Sequence, residues 1–172
     1  MHGDNGNNKN DIILDRGRTA KIHFGTSYTW DNAVNFYSNS AKKSTDISNL
    51  FESMSNGDFD IKSNKSLSPE GAGTGRLLDG YFASARSAGN YLAGMIGSHV
   101  DGNFSNYMKK AGAYHVGGKF GLSAYMLTGS TYGRAPWYGE INYAGRMIVN
   151  GWLKADPTNP TVLSIKKDYE IK

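Results

Sequence analysis

Cysteine is absent from the 172 residues. That excludes disulfides and thiolate metal sites, and it leaves the redox compartment undetermined. Histidine is scarce. The four, His2, His23, His99 and His115, show neither HxxxH nor HExxH spacing, so no helix face offers a zinc pair. No metal and no cofactor are expected. No apolar run reaches the roughly 18 residues that read as a membrane span. The opening MHGDNGNNKN has no apolar h-region, so no signal peptide is legible; in a fragment of a longer chain this says nothing about export. The G-x-S-x-G elbow, the P-loop, the dinucleotide fingerprint and the EF-hand loop are all missing. Gly71, Gly73 and Gly75 in EGAGTGR have a phosphate loop's glycines without its Lys-Ser/Thr or a preceding strand.

What is present fits one domain. Hydrophobic residues make up 38% of the chain, a lean but sufficient supply for a single core. Twenty-two glycines and 12% aromatics point to closely approaching backbones with large rings filling the gaps. The net charge of +4 and a pI near 9.2 permit nucleic acid, an anionic envelope polymer or an acidic protein partner, and select none of them. Residues 1–10 carry nothing to bury and read as a flexible linker, with 11–172 as the domain proper.

Two short β-favouring runs around Ile12–Leu14 and Ala20–Phe24, parted by Asp15-Arg16-Gly17-Arg18, read as an N-terminal hairpin. Asp31 opens a short helix carrying Val34, Phe36 and Tyr37. Ile47, Leu50, Phe51 and Met54 fall at i, i+3, i+4 and i+7 and read as another helix. Residues 57–75 read as a loop. Over 75–98, Leu78, Phe82, Ala85, Gly89, Leu92 and Ile96 trace a helical face. Ala85, Gly89, Ala93 and Gly97 lay a smooth stripe of small side chains along it. Asp79, Arg86 and Asn90 argue against a membrane helix, so a tightly packed central helix at about 76–97 is expected. A helix over 104–116 ends at Gly117-Gly118; Leu122–Leu127 reads equally as strand or short helix. After an ordered loop from Thr128 to Gly139, a helix over 140–154 is ended by Pro157 and Pro160, with a closing strand at Val162–Ile165. The fold class is mainly α with a small β component (α+β), helices packing around the small-residue helix.

Several residues could carry chemistry. Arg86 and Asn90 lie one turn apart on one helix side, either exposed or pairing with Asp79, or else lining a cleft as an anion-binding and orienting pair. His115 follows Phe104, Met108 and Ala111 on an apolar stripe. Such a histidine is more often a satisfied core residue, but this one is the best-placed proton carrier near neutral pH. Glu140 follows Trp137, Tyr138 and Gly139. An aromatic wall there would desolvate its carboxyl into a general acid, while its place at a helix start also suits the dipole. Tyr132, Trp137 and Tyr138 could stack on a base or a sugar, or fill the core. Arg146 and Asn150 echo the arginine–asparagine pair and make Arg146 a further candidate substrate contact.

Two stretches resemble bacterial polymorphic toxins. The opening HGDNGNNKNDIIL resembles the Gly/Asp/Asn segment and strand that follow an Rhs repeat core just before a variable toxic tip. Ala88-Gly89-Asn90-Tyr91, Lys110-Ala111-Gly112-Ala113, Ala135-Pro136-Trp137-Tyr138-Gly139 and Arg146-Met147-Ile148 through Gly151 loosely resemble polymorphic toxin type 44, over less than half the chain. That family's acidic Asp-Asp-Pro cluster is replaced here by Glu140-Ile141-Asn142, so Glu140 alone keeps a carboxylate, and Asn90 carries over best. The resemblance implies an antibacterial effector domain at the end of a larger Rhs-type chain, secreted or delivered into a target bacterial cell and neutralised by a cognate immunity protein.

Three activities are compatible with these residues. In a metal-independent ribonuclease, His115 would move protons, Arg86 would stabilise the phosphorane charge, Asn90 would orient RNA, and Tyr132 or Trp137 would stack on a base. In a peptidoglycan hydrolase Glu140 would be the general acid. In a non-enzymatic interaction module the small-residue helix would itself be the docking face.

Overall fold

The computed structural model describes residues 9–13, 19–23, 29–42, 50–51, 54–55 and 57–172, the first two runs as backbone. Strands β1 (Lys9–Ile13) and β2 (Thr19–His23) pair antiparallel from Lys9 opposite His23 to Ile13 opposite Thr19, which is the expected N-terminal hairpin. Its turn lies outside the described residues. Lys9 and Asn10, read from sequence as the end of the linker, belong to this ladder.

Helix α1 (Trp30–Ala41) begins where the Thr29 amide donates to the Asn32 side chain at 2.9 Å, satisfying a backbone group that helix entry leaves orphaned. It buries Trp30, Ala33, Val34 and Ala41, while Phe36 faces outward. Of the helix expected around 47–54, residues 50–51 and 54–55 are described and helical, with Leu50 and Phe51 buried; the rest lies outside the described residues.

The stretch read as one helix over 76–97 divides in two. Residues 74–84 form a hairpin of β3 (Thr74–Leu78) and β4 (Tyr81–Ser84), and the helix, α2 (Ala85–Val100), starts nine residues later than expected. The signal that separates them is Asp79-Gly80. Both residues take positive φ, 48° and 81°, as a two-residue type I′ turn requires, and Asp-Gly is the pair that adopts it most readily. Leu78 and Phe82, which mimic a helical i, i+4 pair, therefore sit on two strands. Ser84 caps α2 by accepting the Ser87 amide at 3.1 Å. β3 also runs parallel to β2, so all four strands form one sheet in the order β1–β2–β3–β4.

Helix α3 spans Phe104–Thr128 and breaks at Gly118, whose φ of 56° and ψ of −143° suit glycine alone. The chain folds back there. The Tyr125 hydroxyl donates to Asn106 Oδ1 at 3.1 Å, whereas a straight helix would separate these residues by about 28 Å at 1.5 Å per residue. Gly117-Gly118 thus ends the first arm where the sequence placed its end, and 122–127 is helical in the second arm. Helix α4 (Asn142–Ala155) buries Ala144, Ile148, Gly151 and Trp152, leaving Glu140 just outside its first turn. The strand expected at 162–165 is instead part of helix α5 (Pro160–Asp168). Asn159 caps it by accepting the Val162 amide at 3.2 Å, and Pro160 takes the first helical position, where a missing N–H costs nothing. Among the described residues no helix is long and apolar enough to cross a membrane.

Mainly helical with a small sheet, the fold centres on the crossing of α2 and α4, which make the most extensive contact between any two elements. The helices meet backbone to backbone. A Cβ added to Gly94 would lie 2.0 Å from the Ile148 carbonyl oxygen, and one on Gly151 would lie 1.8 Å from that of Tyr91. The small-residue stripe expected at the crossing is shared out differently. Gly97 makes room for the Tyr107 ring, and nothing lies within 4 Å of a Cβ built on Gly89.

Substituting alanine at these glycines therefore has opposite effects. Gly94→Ala and Gly151→Ala should each lower the unfolding free energy by about 3 kcal/mol or more, because backbone must move to admit the methyl group. Gly89→Ala should raise it by about 0.5–1 kcal/mol through helix propensity. Urea midpoints of the three variants check this.

Candidate functional site

Arg86 and Asn90 leave the same side of α2 one turn apart, and both line a cavity of about 320 Å³. His115, near the end of the first arm of α3, and Glu140, ahead of α4, line the same cavity. The four residues named as catalytic candidates from sequence thus converge. Arg86 does not pair with Asp79. That carboxylate accepts Lys154 Nζ at 2.6 Å and the Tyr91 hydroxyl, and these bonds hold its pKa below the usual value against the upward pull of burial. Among the described residues the Arg86 guanidinium and the Asn90 amide have no hydrogen-bond or ion-pair partner, so both are free to meet a ligand. Gly89 and Ala93, the middle of the small stripe, form part of the cavity wall and help to leave it open.

The loop before α4 delivers Glu140 to His115. It lies against Gly112, one turn before the histidine. A Cβ there would be 2.1 Å from the Tyr138 carbonyl oxygen and 3.1 Å from the Glu140 nitrogen. The loop therefore approaches α3 more closely than any larger residue at 112 would allow. His115 Nδ1 then stands 3.3 Å from Glu140 Oε1, with the imidazole 44% exposed and the carboxylate 10% exposed. The same oxygen accepts the Ile141 amide at 2.8 Å. Burial raises the Glu140 pKa, opposed by the charge of His115 and by the Ile141 amide. With Nδ1 turned to the carboxylate, Nε2 remains the nitrogen able to exchange a proton with a bound molecule.

The aromatic wall is built from other residues than those named. Tyr107 and Tyr114 line the cavity beside Glu140; Tyr132, Trp137, Tyr138 and Arg146 do not. The Trp137 ring packs over Gly145 and meets Tyr169 edge-on at 5.3 Å. Tyr138 lies beneath Lys109 Nζ at 5.4 Å, and Tyr132 is 43% exposed. Arg146 Nη2 donates to the Tyr169 carbonyl at 2.6 Å and Asn150 Nδ2 to that of Lys172 at 2.9 Å. The second arginine–asparagine pair therefore clasps the C-terminal segment and lies outside the cavity that the first pair lines.

Asp60 and Lys62, unremarked in the sequence, complete the cavity wall. Lys62 Nζ donates to both Asp60 oxygens at 2.9 Å and to the Ser55 carbonyl at 3.3 Å, so its charge is largely spent within the protein. The loop carrying them has no periodicity that would single out a buried carboxylate. Tyr107 precedes Met108 on the helix that carries His115, and nothing local distinguishes a cavity residue from a core one there. Among the described residues no cluster of three or more His, Asp or Glu could hold a metal ion.

No family model matches the chain, and neither a curated protein nor a solved structure matches it.

The raised Glu140 pKa fixes the sign of a pH effect. A carboxyl titrating higher in the folded state contributes stability that is fully present below its unfolded pKa and is lost as pH rises through its folded pKa. Glu140→Gln should therefore raise the melting temperature relative to wild type at pH 7 and change it little at pH 4. Paired thermal melts at the two values check it.

Proposed function

We propose that this chain is the effector domain of an antibacterial polymorphic toxin and a hydrolase of the RNA backbone. The observation that carries the hydrolase reading is the His115–Glu140 pair, which faces the same cavity as an uncommitted guanidinium at Arg86 and an uncommitted amide at Asn90. His115 Nε2 takes the proton from the attacking 2′-hydroxyl, Glu140 stabilises the imidazolium that forms, and that imidazolium returns the proton to the 5′-oxygen as its bond to phosphorus breaks, leaving a 2′,3′-cyclic phosphate. Arg86 balances the charge that gathers on the phosphorus oxygens, where a fixed cation acts most strongly. Asn90 orients the sugar or phosphate. The positive net charge is compatible with an anionic polymer, and the resemblance to Rhs-linked tips supports delivery into a target bacterium, with an immunity protein protecting the producer.

A second reading has an observation of its own. Burial raises the pKa of the Glu140 carboxyl, as a general acid of glycan hydrolysis needs, and Asp60 supplies another carboxylate to the cavity. This is the cell-wall hydrolase reading.

The purified protein should degrade RNA in the presence of EDTA, and His115→Ala should slow cleavage by about 100-fold or more, the usual worth of a positioned acid–base group. Expression in a sensitive strain should be toxic in the cytoplasm. Intact RNA, together with lysis confined to periplasmic expression, would replace the nuclease with the cell-wall enzyme.

A further inference from the structure

Of the four buried side-chain polar atoms without a partner among the described residues, Ser38 Oγ, Arg146 Nε and Trp152 Nε1 belong to residues outside the cavity lining. The fourth, the Tyr107 hydroxyl, belongs to a residue that lines it. The hydroxyl itself is buried, and buried hydroxyls are otherwise almost always paired, so an unpaired one on a residue of the cavity wall points to a ligand at that wall. The ring has little freedom to turn away. It stacks on Phe51 at 5.4 Å between centroids, leans on Trp152 at 5.7 Å, and fills the space that Gly97 leaves by lacking a Cβ. These contacts hold the ring in place while its hydroxyl stays unspent.

We propose that the Tyr107 hydroxyl is a substrate-contacting donor, giving its hydrogen to an unbridged phosphate oxygen of the bound diester. The inference rests on the reading of this cavity as the reacting site, and it adds a neutral donor to the guanidinium of Arg86. The phenol can serve as a donor and not as a base, because burial, then the negative charge of Glu140 and of Asp101, push its pKa well above the ordinary tyrosine range. Glu140 acts on it more strongly than Asp101, which puts the hydroxyl within electrostatic reach of the His115–Glu140 pair. A neutral donor also suits the position. A second buried cation beside a raised carboxyl would draw that carboxyl's pKa back down, whereas a phenol contributes a hydrogen bond without a charge.

Tyr107→Phe keeps the ring and its packing and removes the unpaired hydroxyl. Three readouts test it: thermal melting alone, the rise in melting temperature produced by inorganic phosphate, and kcat/KM for RNA cleavage. The variant should melt at or above the wild-type temperature, lose the phosphate-induced rise and cleave RNA at least tenfold more slowly. In the wild type, the Tyr107 Cζ resonance should move on phosphate addition, a measurement that needs no variant. An unchanged cleavage rate with an unchanged phosphate response would overturn the proposal. So would a clear drop in melting temperature with no effect on either, since the hydroxyl would then be structural. Should wild type leave RNA intact yet respond to phosphate through Tyr107, the donor stands and the nuclease reading fails. If Tyr107 is silent to phosphate while RNA is cleaved, the reverse holds.

Discussion

The crossing of α2 and α4 depends on bare backbone at the contact. At Gly94 and Gly151 the helices approach until a single methyl group on either would overlap a carbonyl oxygen of the other. The geometry of the site follows from that distance. α2 carries Arg86 and Asn90, and the residue delivered just ahead of α4 is Glu140, so the two helices that cross bring a cation and a carboxylate to one cavity. Trp152, buried beside the crossing, braces Tyr107 and Phe104, and in this way the crossing also holds the first arm of α3 with His115 at its end.

Within the cavity the balance is between desolvation and Coulomb attraction. Removing a carboxylate from water costs several kcal/mol, while an opposite charge about 4 Å away returns about 4 kcal/mol at the effective dielectric of a partly exposed site. Terms of similar size nearly cancel, and small additions decide the outcome. For Glu140, burial exceeds the pull of a half-exposed imidazole and of one amide, so its pKa is raised. A carboxyl so poised, beside a half-exposed imidazole that lines the same cavity, is suited to proton traffic. Asp60 is more deeply buried than Glu140 but is ion-paired with Lys62 and accepts a hydrogen bond from the Ser63 hydroxyl. The two carboxylates of the cavity wall thus differ in their partners, an imidazole and one amide for Glu140, an ammonium and a hydroxyl for Asp60.

Much of the fold was legible in the residues. Helical periodicity located α1, the first arm of α3 and α4 to within a few residues, and the Gly117-Gly118 stop fell where the chain turns. The two misreadings have local causes. Leu78 and Phe82 have the spacing of a helix face, and that pattern outweighed the Asp79-Gly80 turn signal lying between them. Residues 162–165, expected as a closing strand, are helical because Asn159-Pro160 is a helix start. Of the four residues that meet at the cavity, Arg86, Asn90 and His115 were legible as polar groups on helices with apolar faces, and Glu140 as a carboxylate following an aromatic loop. The aromatic wall was not, because any of the chain's rings could have filled that space.

The sequence by itself determined what depends on neighbours a turn apart: which segments are helical, which face of each is apolar, and which polar groups interrupt those faces. Tertiary structure decided what depends on residues far apart in the chain. It decided that Gly94 and not Gly89 meets the opposing helix, that the loop before α4 crosses Gly112 to set Glu140 against His115, and that Tyr107 and not Trp137 stands at the cavity. The physical reason is range. Backbone preference and side-chain periodicity act over a few residues, whereas the volume left between two helices is a property of both surfaces at once, and neither sequence segment specifies it alone.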